Sequence, residues 1–155
     1  MPATKALRLA QTTSTLILLL GLMFAGTATQ AADAPLSIEG YSPVSYFTKG
    51  QAEKGSPEFA VENGGMTYYL TSQEQVTLFK QNPNKYKPRY DTCPYSLTQG
   101  KRVPLDPTNF KVIGDSLLLF HKSEAMDGLA LWNQSSTDEE ELLKQADTQF
   151  TLLRF

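Results

Sequence analysis

The sequence predicts a small single α+β domain with two antiparallel β-hairpins, a helix between them and helices at the C-terminal end. Two observations carry this prediction: two glycine-centred turns lie between strand-like runs, and helix-capping patterns follow the hairpins. The resulting order of hairpin, helix, loop, hairpin and helices is typical of an α+β fold with antiparallel pairing.

The N-terminal segment has the pattern of a secretory signal peptide. Lys5 and Arg8 precede an apolar run from Leu16 to Ala25, and small residues then lead to a cleavage site near Ala31. The apolar run is about ten residues long, shorter than the roughly twenty that span a bilayer as a helix. We therefore expect residues 1–31 to be removed, no stable membrane span to remain, and the protein to be periplasmic or secreted.

The charge balance argues against polyanionic partners. Removing Lys5 and Arg8 from the 14 basic residues leaves 12 against 16 acidic ones, a net charge of −4 for the mature chain. Nucleic acid is therefore not an expected partner. We interpret the mild basic cluster that remains as a solvated surface; its members are Lys80, Lys85, Lys87, Arg89, Lys101 and Arg102.

The mature N-terminal region predicts a short turn followed by a hairpin. The stretch "IEGYSPVSYFTKG" carries aromatic residues around Pro43, which indicates an irregular or single-turn segment. In "EFAVENGGMTYYL", two strand-like runs flank Asn63-Gly64-Gly65, residues that adopt positive φ at low cost. Phe59 and Val61 should share one face of the first strand, and Met66 and Tyr68 one face of the second.

Capping patterns predict a helix directly after this hairpin. Glu74 lies three residues after Thr71, and Gln75 lies three after Ser72, both of which are capping-box spacings. Pro83 marks the end of that helix or of its first segment.

The C-terminal third predicts a second hairpin and two helical segments. Gly114-Asp115 supplies a tight turn between Phe110–Ile113 and Leu117–Phe120, and the unbroken apolar run in the second strand indicates burial on both faces. We expect Ser123 to open one helical segment around Trp132, and Thr137 to begin the cap of another whose acidic first turn suits the helix dipole.

An ordered series of short motifs resembles a known family. Tyr41–Phe47 reads Tyr-Ser-Pro-Val-Ser-Tyr-Phe, Gly-Ser-Pro-Glu-Phe begins at Gly55, and paired tyrosines, Phe-Lys, Asn-Pro and Lys-Tyr follow before Tyr90 and Cys93. This series, between about Leu36 and Phe120, resembles the exported branch of the YHS-domain family. The resemblance implies a YHS-like α+β domain over residues 36–122, with residues 123–155 as a helical extension packed on it. It also implies a binding or accessory role, because the family includes copper-handling proteins.

The lone cysteine, Cys93, is the main candidate for chemistry. A closed zinc site needs four nitrogen or sulfur ligands, and the chain has one cysteine and one histidine. Monovalent copper accepts thiolate, imidazole and thioether donors in low coordination. The predicted soft-metal ligands are therefore Cys93, His121, Met126 and Met66, with Cu(I) as the ion.

Two other interpretations of Cys93 stay open at this stage. A Cys93–His121 pair would make the protein a small exported enzyme, but no peptidase, transferase or Gly-x-Ser-x-Gly signature surrounds these residues, and we assign no catalytic residue. Alternatively, Cys93 is a small buried apolar residue beside Tyr90 and Tyr95.

The seven tyrosines suggest a further candidate site. Aromatic walls with polar tips favour small-ligand pockets, and we predict such a pocket from Tyr46, Tyr68, Tyr90 and Tyr95. A domain that docks a protein partner and holds no metal is the remaining alternative.

Overall fold

The computed structural model describes residues 34–154, and the predicted signal peptide, residues 1–31, lies outside them. The helices and strands follow the predicted order. They are a left-handed turn (Ser37–Gly40), α1 (Ser45–Thr48), β1 (Ser56–Asn63), β2 (Met66–Leu70), α2 (Gln73–Gln81), α3 (Pro83–Tyr86), α4 (Pro94–Thr98), β3 (Phe110–Ile113), β4 (Ser116–Leu119), α5 (Gly128–Gln134) and α6 (Glu139–Leu152). The α+β class with two antiparallel hairpins is confirmed.

The first hairpin forms at the predicted glycine pair. Asn63 lies opposite Met66 in an antiparallel register, and Gly64 and Gly65 between them have φ of 61° and 75°. Positive φ at both central residues is the requirement of a type I′ turn, which glycine meets without a Cβ clash. On the other side of β2, Leu36 bridges Thr67, so the chain N-terminal to the left-handed turn lies beside this strand.

The second hairpin contains the most deeply buried strand segment among residues 34–154, in β4. Ile113 lies opposite Ser116 across the Gly114-Asp115 turn. All four residues of Leu117–Phe120 are at most 1 % exposed, which confirms burial on both faces. The free side of β4 is occupied by the segment before Tyr90, where the Arg89 amide donates to the Leu117 carbonyl at 2.9 Å.

Helix α2 is capped by one of the two predicted patterns. The Ser72 hydroxyl accepts a hydrogen bond from the Gln75 amide at 3.3 Å, so Ser72 rather than Thr71 is the N-cap. The Gln75 side chain accepts from the Thr71 amide at 3.1 Å and from the Ser42 hydroxyl at 2.6 Å. Gln75 therefore closes the cap and also fixes the N-terminal segment against α2.

The starts of the two C-terminal helices differ from the predictions. Helix α5 begins at Gly128, because the Asp127 carboxylate accepts from the amides of Leu129 and Ala130. The prediction that Ser123 opens this helix was wrong, since its hydroxyl instead accepts from the Met126 amide within a preceding turn. Helix α6 begins at Glu139 with Asp138 as N-cap, one residue after the predicted Thr137.

The strand that contains β4 contributes to two core clusters, because successive side chains point to opposite faces. Leu118 and Phe120 pack in one cluster, whereas Leu117 and Leu119 pack in another with Ile38 and Tyr46. The remaining buried members of the first cluster are Tyr90, Cys93, Leu97, Trp132, Leu142 and Ala146. Within residues 34–154, no helix has the length and apolar character needed to cross a bilayer.

Candidate functional site

Cys93 lies in the first core cluster, with no exposed surface. It precedes Pro94 at the start of the short helix α4, and its amide donates to the Val103 carbonyl at 2.9 Å. A Cβ added at Gly128 would lie 2.8 Å from the Cys93 sulfur, so the thiol rests directly against the backbone at the start of α5. This environment is that of a packed apolar side chain.

His121, which directly follows the Phe120 end of the buried run, faces a backbone carbonyl. Its Nδ1 lies 2.9 Å from the Pro104 oxygen, and its own carbonyl accepts from the Gly128 amide at 2.9 Å. The hydrogen bonds of the described residues include none between the Cys93 sulfur and the His121 ring. The geometry therefore lacks the contact that a Cys–His nucleophile pair requires.

The two predicted methionine ligands lie in different parts of the molecule. Met126 packs against the cluster that contains Cys93, whereas Met66 packs against the cluster formed by the first hairpin and α2. Within residues 34–154, no three side chains of His, Cys, Asp or Glu converge into a group that could hold a metal ion. Copper binding through Cys93, with His121, Met126 and Met66 as further ligands, stays a prediction from the sequence.

The four predicted pocket tyrosines do not share one pocket. Tyr46 is buried in the cluster with Leu117 and Leu119 and donates its hydroxyl to the Pro107 carbonyl at 2.8 Å. Burial raises the pKa of Tyr46 above its ordinary range. Tyr95 lies in a separate surface depression between α4 and the C-terminal helices. Tyr68 and Tyr90, together with Met66, line one groove.

We take this groove, which we call the central groove, as the candidate site because of its volume. It has a volume of about 780 Å³, compared with about 360 Å³ for a depression over the first hairpin. Its apolar lining includes the exposed Leu36 and the half-buried Met66, Leu105 and Phe150, with the edges of the buried Ile38, Tyr68 and Tyr90 between them. Sites for small ligands typically occupy about 300–1,000 Å³ and are lined mainly by apolar and aromatic side chains.

Two aromatic rings at one end of the groove are held in place by α6. The rings of Tyr90 and Phe150 meet edge to face with centroids 5.3 Å apart. The Tyr90 hydroxyl donates to the Asp147 carboxylate at 2.8 Å. Burial, and then this hydrogen bond, raise the pKa of Tyr90 above its ordinary range, which favours the protonated phenol as a donor. One turn of α6 thus fixes the aromatic wall of the groove.

Cationic side chains also line the groove. Arg89 forms a bidentate pair with Asp147, with Nε–Oδ1 and Nη2–Oδ2 distances of 3.0 and 2.7 Å. Lys87 donates to the Asn63 side-chain oxygen at 3.0 Å, and the Arg154 guanidinium lies 4.9 Å from the centre of the Phe150 ring. The lining therefore combines apolar side chains with three cationic groups and with the carboxylates of Glu39 and Asp91.

The left-handed turn also lines the groove, and its backbone is strained. Ile38 and Glu39 have φ of 41° and 53°, and Gly40 follows at 77°. A β-branched residue at positive φ is rare, and each non-glycine residue in this region costs about 1–2 kcal/mol. The turn is held by hydrogen bonds from Lys54 Nζ to the Glu39 carbonyl and from the Gly55 amide to the Gly40 carbonyl, at 2.7 and 2.8 Å. Such strain persists where the surroundings fix it, and it concentrates at functional sites.

Sequence reasoning named three residues of this groove and missed the others. Met66, Tyr68 and Tyr90 were predicted in ligand roles, but as parts of two different sites. Lys87 and Arg89 were interpreted as solvated surface, although both line the groove. The strained turn had no sequence signal, because isoleucine and glutamate both disfavour positive φ.

No family model matches the chain. No curated protein and no solved structure matches it either.

Proposed function

We propose that this protein is an exported, non-catalytic binding domain that holds a small ligand in the central groove. The observation that carries the proposal is the groove itself, about 780 Å³, whose lining includes the Tyr90–Phe150 ring pair and the strained left-handed turn. Hydrogen bonds within the protein hold both the ring pair and the turn, and a preorganised site reduces the entropy lost on binding.

Two further observations support binding rather than catalysis. The Cys93 thiol is fully buried, and the His121 ring faces the Pro104 carbonyl, so the pair proposed for an enzyme is not assembled. The resemblance of residues 36–120 to exported YHS domains supports the same class of function, an accessory domain outside the cytoplasm.

The experiment is a fluorescence titration of the chain from Ala32 with N-phenyl-1-naphthylamine, an uncharged dye that brightens in apolar surroundings. Leu36→Ala should weaken dye binding about five- to tenfold, because the change removes apolar contact worth about 1–1.5 kcal/mol. Leu36 is 44 % exposed and lines the groove.

Leu152→Ala is the matched control, since Leu152 is 63 % exposed on α6 and is not among the residues that line the groove. We expect this variant to bind the dye like the unmodified chain. Dye binding that is absent, or equally weakened in both variants, would overturn the proposal.

A further inference from the structure

Resting on the proposed function, we infer that the ligand of the central groove is a small amphipathic carboxylic acid, bound as a monoanion. The first reason is the distribution of charge. The whole chain has a net charge of −2, yet Lys87, Arg89 and Arg154 bring three cations to this one groove. They come from two segments more than sixty residues apart. The fold therefore brings three cations together in one groove of a chain whose net charge is negative.

The second reason is that these cations differ in how far they are already neutralised. Asp147 accepts two hydrogen bonds from Arg89, and Asp91 pairs with the neighbouring Arg102 at 2.6 Å. Lys87 and Arg154 instead contact neutral groups among the described residues, the Asn63 amide oxygen and the Phe150 ring. A ligand anion would exchange these neutral contacts for charge-assisted hydrogen bonds, which are about twice as strong as neutral ones.

The third reason limits the ligand to one negative charge. Glu39 and Asp91 also line the groove, which leaves its lining at a net charge of +1. A polyphosphate or an acidic peptide would meet these two carboxylates at short range, whereas a monoanion would balance the lining.

The fourth reason is the shape of the apolar surface. Phe150 offers ring surface and Met66 a polarisable thioether in the same lining as the cationic side chains, while Tyr68 and Tyr90, at 5 % and 3 % exposed, contribute only ring edges. A ligand whose apolar body lies along these side chains would place its carboxylate within reach of one of two cations, Lys87 beside Asn63 or Arg154 beside Phe150. The volume suits one small molecule rather than a protein surface.

The experiment displaces the uncharged dye with three ligands of equal chain length: decanoate, decan-1-ol and decyltrimethylammonium. We expect decanoate to displace the dye at about tenfold lower concentration than decan-1-ol, and the cation to be weakest. Higher sodium chloride should weaken decanoate and leave decan-1-ol unchanged.

Charge variants then locate the anion. The double variant Lys87→Gln/Arg154→Gln should weaken decanoate about tenfold and leave decan-1-ol within about twofold. Lys87→Arg/Arg154→Lys retains both charges and should keep most of the affinity for decanoate. Lys144→Gln is the matched control, because Lys144 is a highly exposed residue of α6 that lies outside the groove.

The outcomes separate this inference from the proposed function. If the dye binds but decan-1-ol competes as well as decanoate, or if the double variant binds decanoate normally, the inference is overturned and the groove remains a binding site for a neutral ligand. If the dye does not bind, the proposed function itself fails.

Discussion

At the scale of single residues, the contact between Cys93 and Gly128 determines how the lone thiol behaves. A Cβ atom at position 128 would lie 2.8 Å from the Cys93 sulfur and 3.3 Å from the His121 carbonyl oxygen. A buried thiol in such a contact acts as a small apolar group, and its neighbour has no space for a methyl group.

Gly128→Ala should destabilise the protein by about 1–3 kcal/mol, because the new methyl group overpacks a closed core. Urea unfolding measures the loss. Cys93→Ala should offset part of it, so a double-mutant cycle should give a coupling of about 1 kcal/mol or more. If the changes in unfolding free energy of the two single variants simply add in the double variant, the side chains at positions 93 and 128 are not in steric contact in solution.

The burial of Cys93 also predicts the result of a copper titration. Because the thiol is sealed and His121 faces a carbonyl, we expect Cu(I) affinity in competition with a chelator to be the same for the native chain and for Cys93→Ser. A clear loss of affinity in Cys93→Ser would instead support the soft-metal site predicted from the sequence.

Glu39→Asn should stabilise the protein by about 0.5–1 kcal/mol, because asparagine enters the left-handed region more easily than glutamate does. Thermal unfolding at fixed pH measures the gain. Glu124→Asn removes the same charge at an exposed position without positive φ and should change little. A destabilised Glu39→Asn chain would mean that the turn is not strained.

At the scale of elements, helix α6 is fixed to the segment before Cys93 through Asp147. Partial burial raises the pKa of this carboxyl, but the hydrogen bonds from Arg89 and Tyr90 outweigh that effect and leave the pKa below its ordinary 3.8. A carboxylate with a lowered pKa stabilises the folded state above its unfolded pKa, and the stabilisation is lost as the pH falls through the folded value.

Asp147→Asn should therefore be less stable than the native chain at pH 7, and the difference should shrink below about pH 4. Both partners of the pair are more than a third exposed, so we expect at most about 1 kcal/mol. Urea unfolding from pH 7 to pH 3 measures it. The exposed Asp115→Asn is the control, and a difference for Asp147→Asn that does not change with pH would contradict the assignment.

The bounds of a helix or strand were predictable from the sequence where neighbouring residues determine them, and not where contacts with distant residues do. The glycine pair at 64–65 and the Gly114-Asp115 turn fixed both hairpins, because few residues adopt positive φ. Ser123 and Asp127 both carry capping side chains, and the sequence alone could not choose between them. The choice follows from Asn109, which donates to the Asp127 carboxylate at 3.0 Å from across the fold.

At the scale of the whole molecule, helices α5 and α6 contribute buried side chains to the same core cluster as the second hairpin. Trp132, Leu142 and Ala146 are buried in the same cluster as Leu118 and Phe120. The Trp132 indole also donates to Glu139 at 3.1 Å, so this large side chain is satisfied as well as buried.

A chain ending at Lys122 should therefore lose cooperative unfolding, because the buried face of β4 would be left exposed. Circular dichroism during urea titration measures the transition. A chain ending at Leu153 keeps α6 and should unfold cooperatively. Cooperative unfolding of the shorter chain would show that residues up to 122 form an independent domain.

The candidate site could not be predicted from the sequence, because its lining residues are far apart along the chain. Its lining comes from segments around Leu36, Met66, Arg89, Leu105 and Phe150, and no local pattern joins them. Aromatic and basic residues at such spacing look the same on any surface, and only the fold decides which of them face one another.

Tyr90 links the central groove to the mobility of helix α6. An edge of its buried ring lines the groove, while its hydroxyl donates to Asp147 in the middle of α6. A molecule that contacts this edge and the neighbouring Phe150 would also restrain the helix. Occupancy could therefore be followed without touching the groove, as slower hydrogen–deuterium exchange of the amides around Asp147.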